Sequence, residues 1–271
     1  MNTVLPIADQ WKTEQKVFEK NLSVLKERLN TDAIHDLRVA IKKLRAYLEL
    51  YTELRKEKEL SAGWQQELLT ETDNLFNVSG RQRDVEICLS LLAAFKNEKQ
   101  YSFSHLQLFL QTVLKITKAW TNEAIYHYSN KEIRKIYFLF KQETNSVKPE
   151  EFGHAMQTII NNRLIEIKNS FSQPHKLRKS LKSVYYCLCF FKDDDYHAGL
   201  LHDILDDLGN WQDHEVLAAR IKHFRRDYLP KPIDEYETLK ELEKKIKEKK
   251  KFLIKEVRNK TRNWLKIINI K

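Results

Sequence analysis

Glycine and proline are scarce in this sequence, and their scarcity excludes several fold classes. Only 5 glycines and 5 prolines occur among 271 residues, and long stretches contain neither. Turn-rich β architectures need these residues at frequent intervals, whereas long helices contain few of them. Because 42% of the residues are hydrophobic, the chain can also fill a sizeable core. We therefore expect an all-α globular protein.

Cysteines and long apolar runs are also rare. Cys88, Cys187 and Cys189 are an odd number, so they do not indicate a disulfide framework, and we interpret all three as small core residues in a reducing compartment. The longest apolar run, Tyr185 to Phe191, is far shorter than the roughly 20 residues that cross a bilayer. The first residues lack the pattern of a secretory signal. We expect a soluble, cytoplasmic protein that does not associate with a membrane.

The excess of positive charge is concentrated near the C-terminus. The net charge is +10, but Lys231 to Lys271 alone holds 14 basic and 7 acidic residues. Net charge therefore says only that anions are attracted, and a binding site has to be found from residue spacing.

A repeated motif provides that spacing. The segment IHDLRVAIKKLRAYLELY aligns with PHKLRKSLKSVYYCLCFF at a shift of 140 residues, and both have His-x-x-Arg followed four residues later by Lys. Apolar residues at 37, 41, 44, 48 and 51 align with apolar residues at 177, 181, 184, 188 and 191. Steps of four and three residues are typical of a helix with one buried face. The sequence thus predicts two related helices.

A second pair of segments, GRQRDVEI from Gly80 and GNWQDHEV from Gly209, shares Gly, Asp and Glu at equal spacing. Glycine favours the end of a helix, and aspartate favours the first turn of the next one. We therefore expect a glycine turn in each half of a single domain, 1–271, with half-repeats of about 1–146 and 147–271. The predicted helices are 8–29, 32–56, 61–78, 81–98, 103–127, 131–144, 150–171, 174–192, 196–208, 212–227 and 233–268.

The first repeated helix has a cationic stripe beside its apolar face. At 100° per residue, His35, Arg38, Lys42 and Arg45 fall within an arc of about 80°, and they extend along roughly 15 Å of the axis. These groups repel one another, so a bound anion would relieve the repulsion and gain charge-assisted hydrogen bonds. The stripe therefore predicts anion binding, although such a face can also be merely solvated, and each histidine could equally be an interior residue.

The other basic segments are weaker candidates. His175, Arg178 and Lys182 repeat the pattern, but Tyr185 stands where Arg45 stands in the first copy. The last helix has a stripe diluted by glutamates, which favours a solvated surface, and we select only three residues from it as candidates: Lys251, Lys255 and Arg258. We expect asymmetric binding, led by the first half.

The motif from His35 to Arg45 resembles the signature of the conserved histidine α-helical domain (CHAD) family, H-x-x-R-V-x-x-R/K-R/K-L-R. Gly80 to Asp84 and Leu208 to Asp213 resemble its glycine turns. The resemblance implies two four-helix bundles related by a pseudo-twofold axis, forming one compact domain with a basic central groove or pore. It also implies binding of inorganic polyphosphate without catalysis or a cofactor, and an association with polyphosphate granules or polyphosphate-metabolising enzymes.

The positions that would bind polyphosphate are basic residues in or near the repeated motifs: His35, Arg38, Lys42, Lys43, Arg45, Arg81, Arg83, His175, Arg178, Lys179 and Lys182. The second half departs from the family pattern at Ser183 and Tyr185, and Gln212 stands where the first half has Arg83. These departures weaken the expected contribution of the second half.

Three other functions are compatible with parts of the sequence. The segment from His202 to His214 is rich in Asp and His and could form a metal or phosphohydrolase site, but Asp206 and Asp207 face apart on a helix. A nucleic-acid-binding protein would also use basic helices, although no zinc, basic-zipper or RNP-like motif is present. A helical scaffold without a ligand is the third alternative.

Overall fold

The computed structural model describes residues 7–56, 70–99, 102–144, 147–190 and 195–268. These residues form helices without any strand, which confirms the predicted all-α class. The helices are α1 (Ile7–Glu27), α2 (Thr31–Lys56), α3 (Thr70–Lys99), α4 (Ser104–His127), α5 (Lys131–Thr144), α6 (Pro149–Asn169), α7 (Pro174–Leu188), α8 (Asp195–Asp227) and α9 (Glu235–Ile268).

Most helix ends lie within a few residues of their predicted positions, because local signals mark them. Pro149 and Pro174 occupy the first turns of α6 and α7, where the missing N–H is not needed. The Asn30 side chain accepts a hydrogen bond from the backbone N–H of Ala33, at 2.9 Å, and so caps α2. Residues 61–69 of one predicted helix lie outside the described residues, as do 191 and 192 of another.

The predicted glycine turns are wrong, because α3 continues through Gly80 and α8 continues through Gly209. A glycine costs about 1 kcal/mol relative to alanine inside a helix. Buried residues on both sides of each glycine, such as Leu75 and Val85 on α3, favour the continuous helix by more than that cost. The Asp and Glu after each glycine are therefore residues of a helix interior rather than of a new first turn.

The chain forms two compact units. The first comprises the described residues of Met1–Ser79 and Thr121–His202, and the second those of Gly80–Trp120 and Asp203–Lys271. The helices α3, α4 and α8 contribute residues to both units, so neither unit corresponds to one of the sequence halves. The half-repeats and the pseudo-twofold axis stay predictions.

In the first unit, α1 packs on α2 and α5, while α2 also packs on α6 and α7. Its centre contains stacked aromatic rings, with 4.8 Å between the centroids of Trp11 and Phe140 and 4.6 Å between those of Tyr47 and Phe190. The predicted apolar residues of both repeated helices are buried wherever the structure describes them: Leu37, Ile41, Leu44, Leu48, Tyr51, Leu177, Leu181, Val184 and Leu188. Because the apolar faces of α2 and α7 are buried in this core, the cationic side of each helix lies outside it.

The second unit has its own apolar core, formed by residues of α3, α4, α8 and α9. Leu239, Leu242 and Ile246 bury the predicted apolar face of α9. The carboxylate of Glu235, at the start of α9, accepts hydrogen bonds from the backbone N–H groups of His105 (3.0 Å) and Leu106 (2.9 Å). It therefore caps α4 and joins the two helices.

The three cysteines form no disulfide with one another, and they do not share one environment. Cys88 and Cys187 are buried as predicted, and burial raises the pKa of each thiol to about 12. Cys189 is exposed, because it follows the last turn of α7 two residues beyond Cys187 and so lies on another side; its prediction as a core residue is wrong. None of the described helices has an apolar stretch long enough to cross a bilayer.

Candidate anion-binding site

Three cations of α2 surround one aromatic ring of α3. The Cζ atoms of Arg38 and Arg45 lie 4.0 Å and 4.2 Å from the ring centroid of Phe76, and Nζ of Lys42 lies 6.0 Å from it. A ring face attracts cations within about 6 Å. The ring of Phe76 therefore holds three members of the cationic stripe in place. The fourth member, His35, is exposed and lies about one turn closer to the start of α2.

Hydrogen bonds to α3 fix the two guanidinium groups further. Nη1 of Arg38 donates to the backbone oxygen of Phe76 and to the hydroxyl of Ser79, which lies 3.3 Å away. Nη2 of Arg45 lies 2.5 Å from the carboxylate of Asp73, whose side chain is 49% exposed. The α2 stripe itself contains no acidic residue, but Asp73 of α3 offsets part of its positive charge.

Phe76, Asp73 and Ser79 were not among the residues predicted from the sequence. These residues recur every three positions, so they form one face of α3, and that face lies against the cationic side of α2. A search for basic residues and repeated motifs does not select an aromatic residue.

Lys43 is not part of the Phe76 group. Its Nζ forms an ion pair with Glu14 of α1 at 2.7 Å, and the Glu14 side chain is only 14% exposed. Lys43 therefore joins α1 to α2, and its predicted role in phosphate binding would require this pair to open.

The cationic side of α7 has different surroundings. His175 and Lys179 are exposed, and Arg178 and Lys182 are half-buried. The ring of Tyr185, which replaces the arginine of the first motif, lies edge-on to His202 with 5.8 Å between centroids. This side thus repeats the basic residues of α2, with an aromatic contact where α2 has an ion pair.

A polar cluster joins α7 to α2 and α6. The hydroxyl of Ser183 donates to Glu49 at 3.1 Å, and Arg163 of α6 forms ion pairs with Glu49 (2.5 Å) and Glu166 (2.8 Å). Ser180 donates to Glu166 at 2.7 Å. Desolvation raises the pKa of Glu166, but the hydrogen bonds from Ser180 and Arg163 outweigh it, so the pKa is lowered overall. Ser183 therefore serves packing between helices in place of the expected basic residue.

The remaining candidates belong to the second unit. Arg81 is exposed, with its Cζ 6.0 Å from the ring of Trp120, and Arg83 is half-buried. On α9, Lys251 and Lys255 are exposed and Arg258 is half-buried, opposite the buried Leu253 and Val257. The three α9 residues thus lie on the solvent side of an amphipathic helix.

The acidic segment considered for a metal site lies along α8. Asp207 forms an ion pair with Lys260 at 2.6 Å, and Nδ1 of His214 hydrogen-bonds the backbone oxygen of Asn210 at 2.8 Å. Within the part of the chain that the structure describes, no group of three His, Cys, Asp or Glu side chains is placed to hold one ion. These contacts therefore give no support to a metal centre on α8.

Comparisons with known proteins agree with the sequence motif. The family model described as the CHAD domain matches residues 14–222. The crystal structure of the CHAD domain from the plant Ricinus communis superposes with a TM-score of 0.66 at 14% identity, covering 96% of this chain and 93% of that one. At this identity the likeness shows the fold alone. No curated protein matched the sequence. Because the family model matches most of the chain, the protein belongs to the CHAD domain family.

Proposed function

We propose that the protein binds inorganic polyphosphate without catalysis, mainly through the cationic side of α2. The observation that carries the proposal is the group of Arg38, Lys42 and Arg45 around Phe76. Arginine is well suited to phosphate, because its planar fork can donate two parallel hydrogen bonds. Membership of the CHAD family supports the same function.

An elongated anion fits this stripe better than a single phosphate. From His35 to Arg45 the stripe extends along roughly 15 Å, which matches several consecutive phosphates. Packing against Phe76 lowers the conformational entropy that the arginines lose on binding. His35, exposed at one end of the stripe, adds a ring N–H donor there.

The α7 side is the weaker half of the proposed site. Arg178, Lys179 and Lys182 supply positive charge there, but Tyr185 and Ser183 are engaged with His202 and with Glu49. Fewer phosphate contacts are therefore expected at α7. The basic residues of the second unit, Lys251 and Lys255 among them, supply further sites for a long chain.

The central test is a titration with polyphosphates of defined length at several salt concentrations. We expect affinity to fall steeply with salt and the double variant Arg38→Ala/Arg178→Ala to bind at least about 30-fold more weakly. Arg28→Ala is the matched control, because it removes an exposed cation outside both stripes. A double variant that binds within twofold of wild type, or weak salt dependence, would overturn the proposal.

Nucleic-acid binding is the main alternative, because the solvent side of α9 displays a row of exposed basic residues on one long helix. Competition separates the two functions: long polyphosphate should displace RNA and duplex DNA at matched phosphate and salt concentrations. Failure to displace them would favour the nucleic-acid function. If charge-neutralising His35, Arg38, Lys42 and Arg45 together changes neither binding nor partner recruitment, the helical scaffold is the better description.

The absence of catalysis is part of the proposal and has its own test. Incubation of polyphosphate with the protein and Mg²⁺ or Mn²⁺ should release no orthophosphate above the blank. Metal-dependent release would revive the hydrolase alternative. In cells, binding without turnover predicts that the protein is found at polyphosphate granules or with polyphosphate-metabolising enzymes, and that the Arg38→Ala/Arg178→Ala variant is not.

A further inference from the structure

The second unit contains a cleft between residues of α3, α8 and α9, and none of its lining residues is among those selected above for phosphate binding. Its volume is about 520 Å³, which falls in the range of pockets for small organic ligands. Leu91 and Phe95 of α3 form one wall, and Phe252 of α9 forms another. Phe252 is 57% exposed, so an aromatic face is available to a ligand without any rearrangement of the core.

His214 of α8 provides a buried polar group in this cleft. Its side chain lines the cavity although the residue is only 5% exposed. Because a carbonyl oxygen can only accept, the 2.8 Å contact with Asn210 requires that Nδ1 donates its hydrogen. Among the residues that the structure describes, Nε2 has no hydrogen-bond partner, and in the neutral ring it is an acceptor.

Charged side chains of both signs complete the lining. Lys245 and Lys249 bring ammonium groups, and Nζ of Lys249 lies 5.9 Å from the ring centroid of Phe252. Glu248 brings a carboxylate, which can only accept hydrogen bonds. The cleft therefore combines aromatic faces, cations and two acceptors.

We propose that this cleft binds a nucleoside monophosphate. The base would stack on Phe252 and Phe95, the phosphate would pair with the lysines, and amino or hydroxyl groups would donate to His214 and Glu248. A fatty acid has no donor for these two acceptors, and inorganic phosphate has no flat apolar face for the rings. A nucleotide satisfies all three parts of the lining.

Calorimetric titration of the full chain with AMP tests the proposal. We expect saturable binding, with adenosine and inorganic phosphate each at least about fivefold weaker. Phe252→Ala should weaken AMP binding about tenfold by removing a stacking face, and Lys249→Ala about fivefold by removing a charge-assisted contact. Both residues are exposed, so neither change should disturb folding.

Two control variants test whether AMP binds in the cleft or at any exposed lysine or aromatic ring. Lys247→Ala removes an exposed lysine of α9 outside the cleft, and Phe138→Ala removes an exposed ring of α5; both should bind AMP like wild type. Absence of saturable AMP binding, equal losses in control and cleft variants, or octanoate binding more tightly than AMP would each overturn the proposal. Polyphosphate binding should be unchanged in Phe252→Ala, so this test stands whether or not the proposed function is correct.

Discussion

The cationic sides of α2 and α7 have the same residue pattern but different neighbours. Each presents a histidine, an arginine and a lysine at equal spacing, above an equally buried apolar face. On α2 the basic groups surround Phe76, and Arg45 pairs with Asp73. On α7 the equivalent of Arg45 is Tyr185, which contacts His202. The same motif therefore meets different contacts on the two helices, because the residues that face it differ.

Alignment of the two glycine segments identifies the residues of the second half that correspond to Asp73 and Phe76. Gly80 and Gly209 are 129 residues apart, so His202 corresponds to Asp73 and Leu205 corresponds to Phe76. The contact between Arg45 and Asp73 is therefore replaced by the contact between Tyr185 and His202. A leucine cannot attract a cation through a ring face, so Leu205 cannot make the kind of contact that Phe76 makes with Arg38 and Arg45.

The largest expected effect separates the two sides directly. Arg38→Ala/Arg45→Ala should weaken polyphosphate binding at least about 100-fold, because each lost charge-assisted hydrogen bond costs about 1.5–3 kcal/mol. Arg178→Ala/Lys182→Ala should weaken it about tenfold or less. Fluorescence anisotropy with a labelled polyphosphate at fixed salt measures both, and thermal unfolding confirms that each variant is folded. Equal losses would show that the α3 contacts give α2 no advantage.

Much of the fold could be predicted from the sequence, because its signals are local. The apolar spacing of α2 and α7 identified their buried faces, and most helix ends were predicted to within a few residues. The error at Gly80 has a physical reason, since the preference of glycine for helix ends is weaker than the burial of the residues on either side. Propensity at one residue could not show that tertiary packing favours a continuous helix.

The candidate site could be predicted only in part. Spacing on α2 gave Arg38, Lys42 and Arg45, which the structure brings together around Phe76. Phe76 itself, and the pairing of Lys43 with Glu14, depend on how α1 and α3 pack against α2. Contacts between helices distant in sequence leave no periodic signal in one sequence, so these features could not be derived from it.

The second effect tests the ring itself. Phe76→Leu introduces the residue found at the corresponding position of the second half and keeps every charge. We expect about tenfold weaker polyphosphate binding from the loss of the three cation–ring contacts, with an unchanged salt dependence because the number of cations is the same. Phe138→Leu, at a 67% exposed ring of the same unit, is the control. An unaltered affinity would show that Phe76 is only a packing residue.

The third expected effect is tighter polyphosphate binding at α7. Tyr185→Arg restores the cation of the first motif on α7, and we expect polyphosphate to bind about threefold to fivefold more tightly. The slope of affinity against salt should steepen by about one phosphate contact. Tyr185→Gln removes the same contact with His202 without adding charge and should not bind more tightly than wild type. If both variants behave alike, α7 does not contact the ligand.

The smallest effect concerns stability, and it tests whether the polar groups beside α7 serve packing. The hydrogen bonds from Ser180 and Arg163 lower the pKa of Glu166 below its ordinary value of 4.5 despite desolvation. A lowered folded-state pKa stabilises the protein above the unfolded value, and the contribution is lost as the pH falls through the folded value. Urea unfolding, measured from neutral pH to about pH 3, should therefore show that the free energy of unfolding falls less with acid in Ser180→Ala than in wild type.

Ser183→Ala is the matched control for this measurement. It removes a hydrogen bond to Glu49 on the same side of α7 but leaves the contact between Ser180 and Glu166 in place. Its acid-induced loss of stability should follow wild type, even if its stability at neutral pH is lower. Because the Glu166 side chain is 38% exposed, the difference between the two variants will be small. Identical pH profiles would show that the hydrogen bond from Ser180 does not hold this carboxylate in its charged form.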